Sequence, residues 1–360
     1  SIIPKETELG RKRAVDQSSC NKDFTCIDGF CPSFVSVHGA EPRKPKIDPT
    51  RSEISNSFAS LPDPIPASSQ EPYAIVIGGI GGTGVVTVSA LLGMAAHIED
   101  KGVTVLDVAG LAQKNGAVYA HVRICNDRDK LHSVRIAAGG ANLLLGCDMV
   151  TSGVAETLSR LQEGNSRAVV NVHKTMTAEF TRDPDLDFPM RRLKLAIDAA
   201  VGIDENGEPG SHYVEATNLA LKLLGNTIAA NLFLVGYAFQ KGLLPVSLQA
   251  LQKAIELNGV EVEFNIKALE WGRRAAFDLE TVTLLCSPKE PSAITQFDGP
   301  QFIARRVKDL EAYQNAGYAR RYEEFIKKAA LAEVAVAPNS NCEFSAAVSK
   351  AYYKLLAIKD

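Results

Sequence analysis

At 360 residues, with 46% hydrophobic and 22% charged, the chain can bury a sizeable core and divide into two or three structural units. A net charge of -3 and a pI near 6.1 argue against a nucleic-acid or anionic-membrane surface, which needs a basic excess. The longest apolar stretches, 228–239 and 85–96, are too short to cross a bilayer, and no basic start followed by an apolar leader opens the chain; a cytoplasmic protein is expected.

Residues 1–36 are poor in aliphatic side chains and rich in charge, so apolar packing cannot order them. They hold Cys20, Cys26 and Cys31, the last followed by Pro32. Converging thiolates on a glycine-containing loop with a closing Cys-Pro step suit an iron–sulfur cluster, although the gaps of five and four residues exceed the two of the bacterial ferredoxin run and only three ligands are local. Three ordinary surface thiols, or a structural zinc with His38 as a fourth ligand, are the alternatives. Metal–ligand bonds would supply ordering energy that this segment otherwise lacks. The other four cysteines are scattered, so the seven form no disulfide framework, and Cys125 and Cys147 lie in apolar runs that predict burial.

Residues 37–71 carry six prolines among Ser and Asp, the composition of an extended linker. Residues 73–77 then read as a buried strand, 82–99 as an amphipathic helix and 103–106 as a second strand. That order predicts a βαβ unit and a parallel sheet. Further strands are expected at 117–125, 143–147 and 168–172. From 226 to 279 the pattern turns helical, with Ser247 as an N-cap and Gly259 as a stop, and 307–332 and 346–358 carry helical apolar spacing as well. The expected fold class is therefore a three-layer, Rossmann-like α/β domain with a mostly parallel sheet over 72–283, an N-terminal cysteine-containing arm and a C-terminal helical extension over 284–360. Both ends of the chain, Ser1 and Asp360, read as cuts.

Between the first strand and its helix stand Gly79, Gly81, Gly82, Thr83 and Gly84, which satisfy G-x-G-x-x-G. The helix N-terminus behind them offers N–H groups and a positive dipole end to an anion. A dinucleotide is one reading, with Asp107 as the ribose-binding carboxylate; another pyrophosphate-bearing ligand suits the loop equally, and close helix–sheet packing explains the glycines without a ligand. Residues 110–116, with Gln113 and Lys114, follow the second strand and are expected beside the glycine loop, where Lys114 either pairs with a phosphate or carboxylate or is simply solvated. His173, at the end of a predicted strand, reads as polar lining or as an ordinary loop histidine. No nucleophile elbow, P-loop lysine or catalytic zinc spacing is present, and no residue is assigned to catalysis.

Taken in order, the segment from Gln17 to Pro32, the glycine loop, Gly110 to Gly116, Asn171-Val172-His173 with Met176-Thr177, and the stretches 226–242 and 258–259 resemble the thiamine-dependent 2-oxoacid:ferredoxin oxidoreductases of the fused bacterial indolepyruvate type. The likeness covers the end of that family's ferredoxin-like segment, its gamma domain and its C-terminal extension. It implies that thiamine diphosphate, held by domains outside this chain, decarboxylates an aryl-pyruvate, that electrons pass through [4Fe-4S] clusters to ferredoxin, and that coenzyme A takes the acyl group. Cys20, Cys26 and Cys31 would then be cluster ligands, the fourth coming from elsewhere. The partners implied are the thiamine-binding domains, ferredoxin and coenzyme A, in a homo-oligomer of the parent enzyme. Asn115 stands where the family has glycine, and Asn tolerates the left-handed turn. An independent NAD-dependent oxidoreductase and a structural subunit-contact module are the two rival functions.

Overall fold

The structure is a computed structural model, and it describes residues 2–7, 10–15, 39, 61–110, 116–177, 179, 183, 186–204, 207–286, 299–338 and 340–357. Two compact units result, the first mainly 13–287 and the second mainly 288–360. Near the N-terminus, β1 (Ile2–Thr7) and β2 (Gly10–Val15) pair in a two-stranded ribbon that the polar sequence did not announce. Cys20, Cys26, Cys31, Gln113 and Lys114 lie outside the described residues.

The first unit is built on a six-stranded sheet of β3 (Tyr73–Ile80), β4 (Gly102–Ala109), β5 (Ala117–Cys125), β6 (Leu143–Gly146), β7 (Arg167–Asn171) and β8 (Ser211–Val214), in the spatial order β4-β5-β3-β6-β7-β8. β3, β6, β7 and β8 run parallel to one another, with Ile75 opposite Leu143 and Leu144 opposite Ala168. Their continuous apolar runs suit strands covered on both faces. The expected parallel pairing next to β3 is corrected on the other side: β5 is antiparallel to both β3 and β4 and lies between them. The seven-residue connection 110–116 is too short for a parallel crossover, so the chain turns straight back. β3 and β4 still point the same way, and the sheet remains mostly parallel.

Helices cover both faces. On one lie α1 (Val85–Ile98) and, after α2 (Met149–Ser152), α3 (Ala155–Leu158) and α4 (Met190–Val201) on the other face, a helical block of α5 (Ala216–Leu224), α6 (Ala230–Gln240), α7 (Leu248–Asn258), α8 (Val262–Phe277) and α9 (Leu279–Cys286). Ile75, Ile77, Leu145 and Val169 point into the α1–α6 layer, whereas Val76, Leu144 and Val170 meet Met149, Leu193 and Ile197, which is the alternation a two-faced sheet requires. Ser247 caps α7 by accepting the Ala250 N–H at 3.2 Å, and Gly259 ends it in the left-handed region, as expected from the sequence. α6 and α8 cross in backbone contact, for a Cβ at Gly236 would lie 2.0 Å from the Leu269 carbonyl oxygen and one at Gly272 1.9 Å from that of Phe233.

Residues 61–71, the end of the proline-rich stretch, are held against this helical block. Gln240 donates to the Pro62 carbonyl at 2.7 Å, the Ala67 N–H donates to the Leu244 carbonyl at 3.1 Å, and buried Arg273 pairs with Asp63 at 2.7 Å. The second unit comprises α10 (Pro300–Tyr313), α11 (Ala316–Val336) and α12 (Glu343–Leu356) around Leu310, Tyr322, Ile326 and Tyr353. Asn315 interrupts what the spacing read as one helix from 307 to 332, and caps α11 by accepting the Tyr318 N–H at 2.9 Å. Among the described residues no helix is long and apolar enough to cross a membrane.

Candidate functional site

The strand order changes direction between β3 and β6: the chain leaves β3 toward β4 on one side, and β6 pairs on the other. In an open α/β sheet, ligands bind outside the carboxyl ends of the strands at such a reversal. The glycine-rich turn sits there. Gly79 is at the end of β3, where a Cβ would come within 2.5 Å of Val85 Cγ2 and 3.0 Å of Cys147 Cβ, so only glycine lets α1, β3 and β6 approach this closely. Gly82 and Gly84 have φ of 83° and 94°, the left-handed region open to glycine.

One helix begins at this turn, and a second is tied to it by a side chain. α1 starts directly after Gly84 and has no side-chain cap. Next to the start of α6, buried Asn231 donates from Nδ2 to the Thr83 carbonyl at 2.8 Å and ties that helix to the turn. The uncapped N-terminus of α1, with its dipole end and first-turn N–H groups, thus lies behind the glycine turn, which favours an anion. Gly81 contributes shape, not a free donor, because its N–H bonds the Gly116 carbonyl at 2.8 Å. That bond brings the end of the 110–116 loop against the glycine turn. Thr83 Oγ1 is turned inward to the Ile80 carbonyl at 2.7 Å. Among the described residues no acceptor is bonded to the N–H groups of Gly82 and Gly84.

Asp107 does not stand where a dinucleotide's ribose carboxylate would. β5 separates its strand from β3, about 10 Å at two strand spacings. Its Oδ1 also accepts the Ser89 hydroxyl of α1 at 2.7 Å.

Beyond the turn, β6, β7 and β8 deliver Cys147, Asp148, Asn171, His173 and Glu215 to the same edge. Asn171 is the knot: its Nδ2 reaches the Cys147 carbonyl at 3.2 Å and Thr217 Oγ1 at 2.8 Å, and its Oδ1 accepts the His173 N–H at 3.2 Å. Burial pushes the Cys147 thiol up to about 12, so it is a buried, unreactive thiol, as its apolar run predicted; Cys125 is buried too. Burial also raises the Asp148 carboxyl above the usual range, against the opposing pull of the Thr151 and Val150 N–H groups, the Thr151 side chain and His173. His173 was singled out from the sequence; Asp148, Glu215 and Asn231 were not. Asn231 was visible only as a break in an apolar run, and Asp148 only as the residue after a predicted strand. Beside this edge, between α2 and α4, opens a cleft of about 730 Å³ lined by Val154, Met176, Phe188, Arg192 and Leu193 among others. Among the described residues no three His, Cys, Asp or Glu side chains converge to hold a metal.

The family model described as pyruvate ferredoxin/flavodoxin oxidoreductase matches residues 74–275, more than half of the chain, from β3 into α8. The chain belongs to that family. Within it, the chain is similar to the indolepyruvate oxidoreductase subunit IorB of Archaeoglobus fulgidus, 27% identical over 210 residues, which are 56% of this chain and 94% of that protein. The subunit of the same name from Pyrococcus horikoshii is 28% identical over 214 residues, 58% of this chain and 97% of its own length. A solved structure, the gamma subunit of a keto/oxoacid ferredoxin oxidoreductase from Geobacter sulfurreducens, is 22% identical and covers 57% of this chain and 98% of that one, with a TM-score of 0.39. Residues 300–360, the helices of the second unit, match a family of unknown function. As a family member, the chain carries the glycine turn, the Asn171 knot and the α6 clamp all within the matched region.

Proposed function

We propose that this chain is the gamma part of a thiamine-dependent 2-oxoacid:ferredoxin oxidoreductase that converts an aryl-pyruvate of the indolepyruvate type to its acyl-coenzyme A. The uncapped N-terminus of α1 behind the glycine turn, which Asn231 of α6 braces, carries the reading, and the names and near-complete coverage of the IorB relatives support it. In this reading the turn holds a phosphate of coenzyme A: Gly82, Gly84 and the first turn of α1 supply N–H donors, Gly79 and Gly81 supply the close approach, and Thr83 fixes the turn. Gln113 and Lys114 complete the site from the neighbouring loop. Thiamine diphosphate and the substrate belong to partner domains of the same enzyme, and no residue of this chain is assigned to bond making or breaking.

The same reading divides the chain into the end of an iron–sulfur segment (1–36), a linker (37–71), the gamma domain (72–283) and a helical extension (284–360). Cys20, Cys26 and Cys31 ligate a [4Fe-4S] cluster whose fourth ligand comes from elsewhere, and which passes electrons toward ferredoxin. The parent enzyme is a cytoplasmic homo-oligomer. The displacement of Asp107 by β5 and its bond to Ser89 argue against it as the ribose-binding carboxylate of a nicotinamide dinucleotide.

Calorimetry of the intact enzyme with coenzyme A tests the phosphate site. Lys114→Ala removes one charge-assisted hydrogen bond, about 1.5–3 kcal/mol, and is expected to raise Kd roughly 10- to 100-fold. Unchanged affinity overturns the assignment.

A further inference from the structure

The two edges of the six-stranded sheet are unlike. β8 closes one side with four residues, and short edge strands resist pairing with another chain. β4 closes the other with eight, in an unbroken register against β5 from Gly102 opposite Cys125 to Ala109 opposite Val118. It has no proline and no bulge, and its one charged side chain, Asp107, is turned to Ser89 of α1 at 2.7 Å. Lys101, just before the strand, is occupied by Glu99 at 2.8 Å and the Pro245 carbonyl at 2.7 Å. Among the described residues no backbone group pairs with β4 from the side away from β5. The edge is thus about 27 Å of open backbone donors and acceptors, and none of the usual guards stands on it.

The helix above this edge is unguarded too. α1 has no Asp, Glu, Lys or Arg between Val85 and Ile98. A helix that is apolar all round is normally enclosed, yet Val86, Ala90, Met94 and Ile98 are exposed, Val86 by 45% and Met94 by 40%. Their spacing of four makes one ridge of the kind that interdigitates where helices cross. Ridge and strand form a single wall. Gly93, near the middle of the ridge, lies so close to β4 that a Cβ there would be 3.0 Å from Val105 Cγ2, and both Val105 and Val108 are exposed. Contiguous apolar surface of this kind marks a contact face.

Geometry selects what covers it. α1 lies over β4 and β5 alike, bonded to the first through Ser89 and packed with Ala120, Val122 and Ile124 of the second. A second copy added antiparallel at β4, about a two-fold axis normal to the sheet, keeps both α1 helices on one face. The two helices are then two strand spacings apart, about 10 Å, which is the distance at which ridges pack. An axis at Val105, beneath the middle of the ridge, brings ridge to ridge. It also leaves the two Asp107 side chains four residues apart along the strands, about 14 Å, so no like charges meet. The same patch meets itself, as a closed two-fold dimer requires.

We propose that this chain self-associates through the β4 edge and the Val86, Ala90, Met94 and Ile98 ridge of α1, joining two six-stranded sheets into one across a two-fold axis. The dimer goes beyond the function proposed above and uses neither coenzyme A nor the cluster, so either can fail without the other.

Sedimentation velocity of the full chain, with amide hydrogen exchange read by NMR, tests this. The wild type should be a dimer, at twice the 38.7 kDa of the chain, with every amide of 103–108 slow to exchange. Ala90→Lys and Met94→Lys each bring like charges together across the axis and should raise the dimer Kd at least about tenfold. In the resulting monomers alternate amides of β4 should exchange freely while those bonded to β5 stay protected, since only every second residue faces the edge. Leu195→Lys, also exposed but on α4 of the opposite face, should leave the dimer intact. If the α1 variants melt early, the exchange pattern of the wild type decides alone. A monomeric wild type overturns the proposal, as does a dimer that both α1 variants leave intact or one whose alternate β4 amides exchange freely. Protection of β4 that appears only in the intact enzyme, with this chain alone monomeric, assigns the edge to a partner domain and overturns it as well.

Discussion

Replacing Gly79 by alanine tests whether the glycine turn is set by packing. A Cβ at this position would stand 2.5 Å from Val85 Cγ2, about 0.9 Å inside the 3.4 Å at which ordinary contact begins, and 3.0 Å from Cys147 Cβ. Val85 is the first residue of α1 and Cys147 the first after β6, so relief requires the helix to move from the sheet. Overpacking of this kind costs about 2 kcal/mol, which lowers Tm by roughly 4–8 °C for a unit of this size. Gly82→Ala is the control. Its Cβ meets nothing within 4 Å and only the positive φ of 83° resists it, so its cost is about 1 kcal/mol. Thermal unfolding followed by near-ultraviolet circular dichroism compares the two. A Gly79→Ala protein that melts with the wild type, or above Gly82→Ala, refutes the reasoning.

Asn171→Ala removes the bonds that join the ends of β6, β7 and α5, and leaves the Cys147 carbonyl and the His173 N–H unpaired; a loss of about 2–3 kcal/mol in denaturant unfolding is expected. Asp63→Ala deprives buried Arg273 of its carboxylate while Gln240 still holds Nε at 2.9 Å. Because Asp63 is itself half exposed, the cost stays near 1 kcal/mol, but limited proteolysis within 61–71 should accelerate. Glu333 accepts from Ser340 and Ser345 side chains and from the Ser345 and Phe344 N–H groups, which hold its carboxyl down to about 2. A depressed carboxyl stabilises only while ionised, so amide protection at Phe344 and Ser345 should be full above pH 4.5 and fall away as the pH drops toward 2. Glu333→Gln should abolish that dependence, and a pH profile identical to the wild type's counts against it.

The strands that are buried on both faces were legible as apolar runs, and the Ser247 and Gly259 caps as local signals, because each depends on a few adjacent residues. The antiparallel placement of β5 was not, since periodicity carries no direction and only the seven-residue connection hinted at it. β8 and α4 escaped for a different reason. Ser211–Val214 has only four residues and one fully buried side chain, and Met190–Val201 opens on Arg191, Arg192 and Lys194, so neither offers a long apolar pattern. At the site, the glycine turn announced itself by spacing. Asn231 meets it only through a contact between elements far apart in the chain, and Asp148 and Glu215 reach the same edge of the sheet only through strand order, neither of which a local window holds.

The central claim is that the turn between β3 and α1 receives the phosphate of coenzyme A. Titrating coenzyme A into the full chain labelled with ¹⁵N, and following the backbone amides, reads it directly. Gly82, Thr83, Gly84 and Val85 should shift together and saturate with one Kd, with Gly81 moving less because its N–H is already bonded to Gly116. Amides of 82–85 that stay in place at saturating coenzyme A contradict the account.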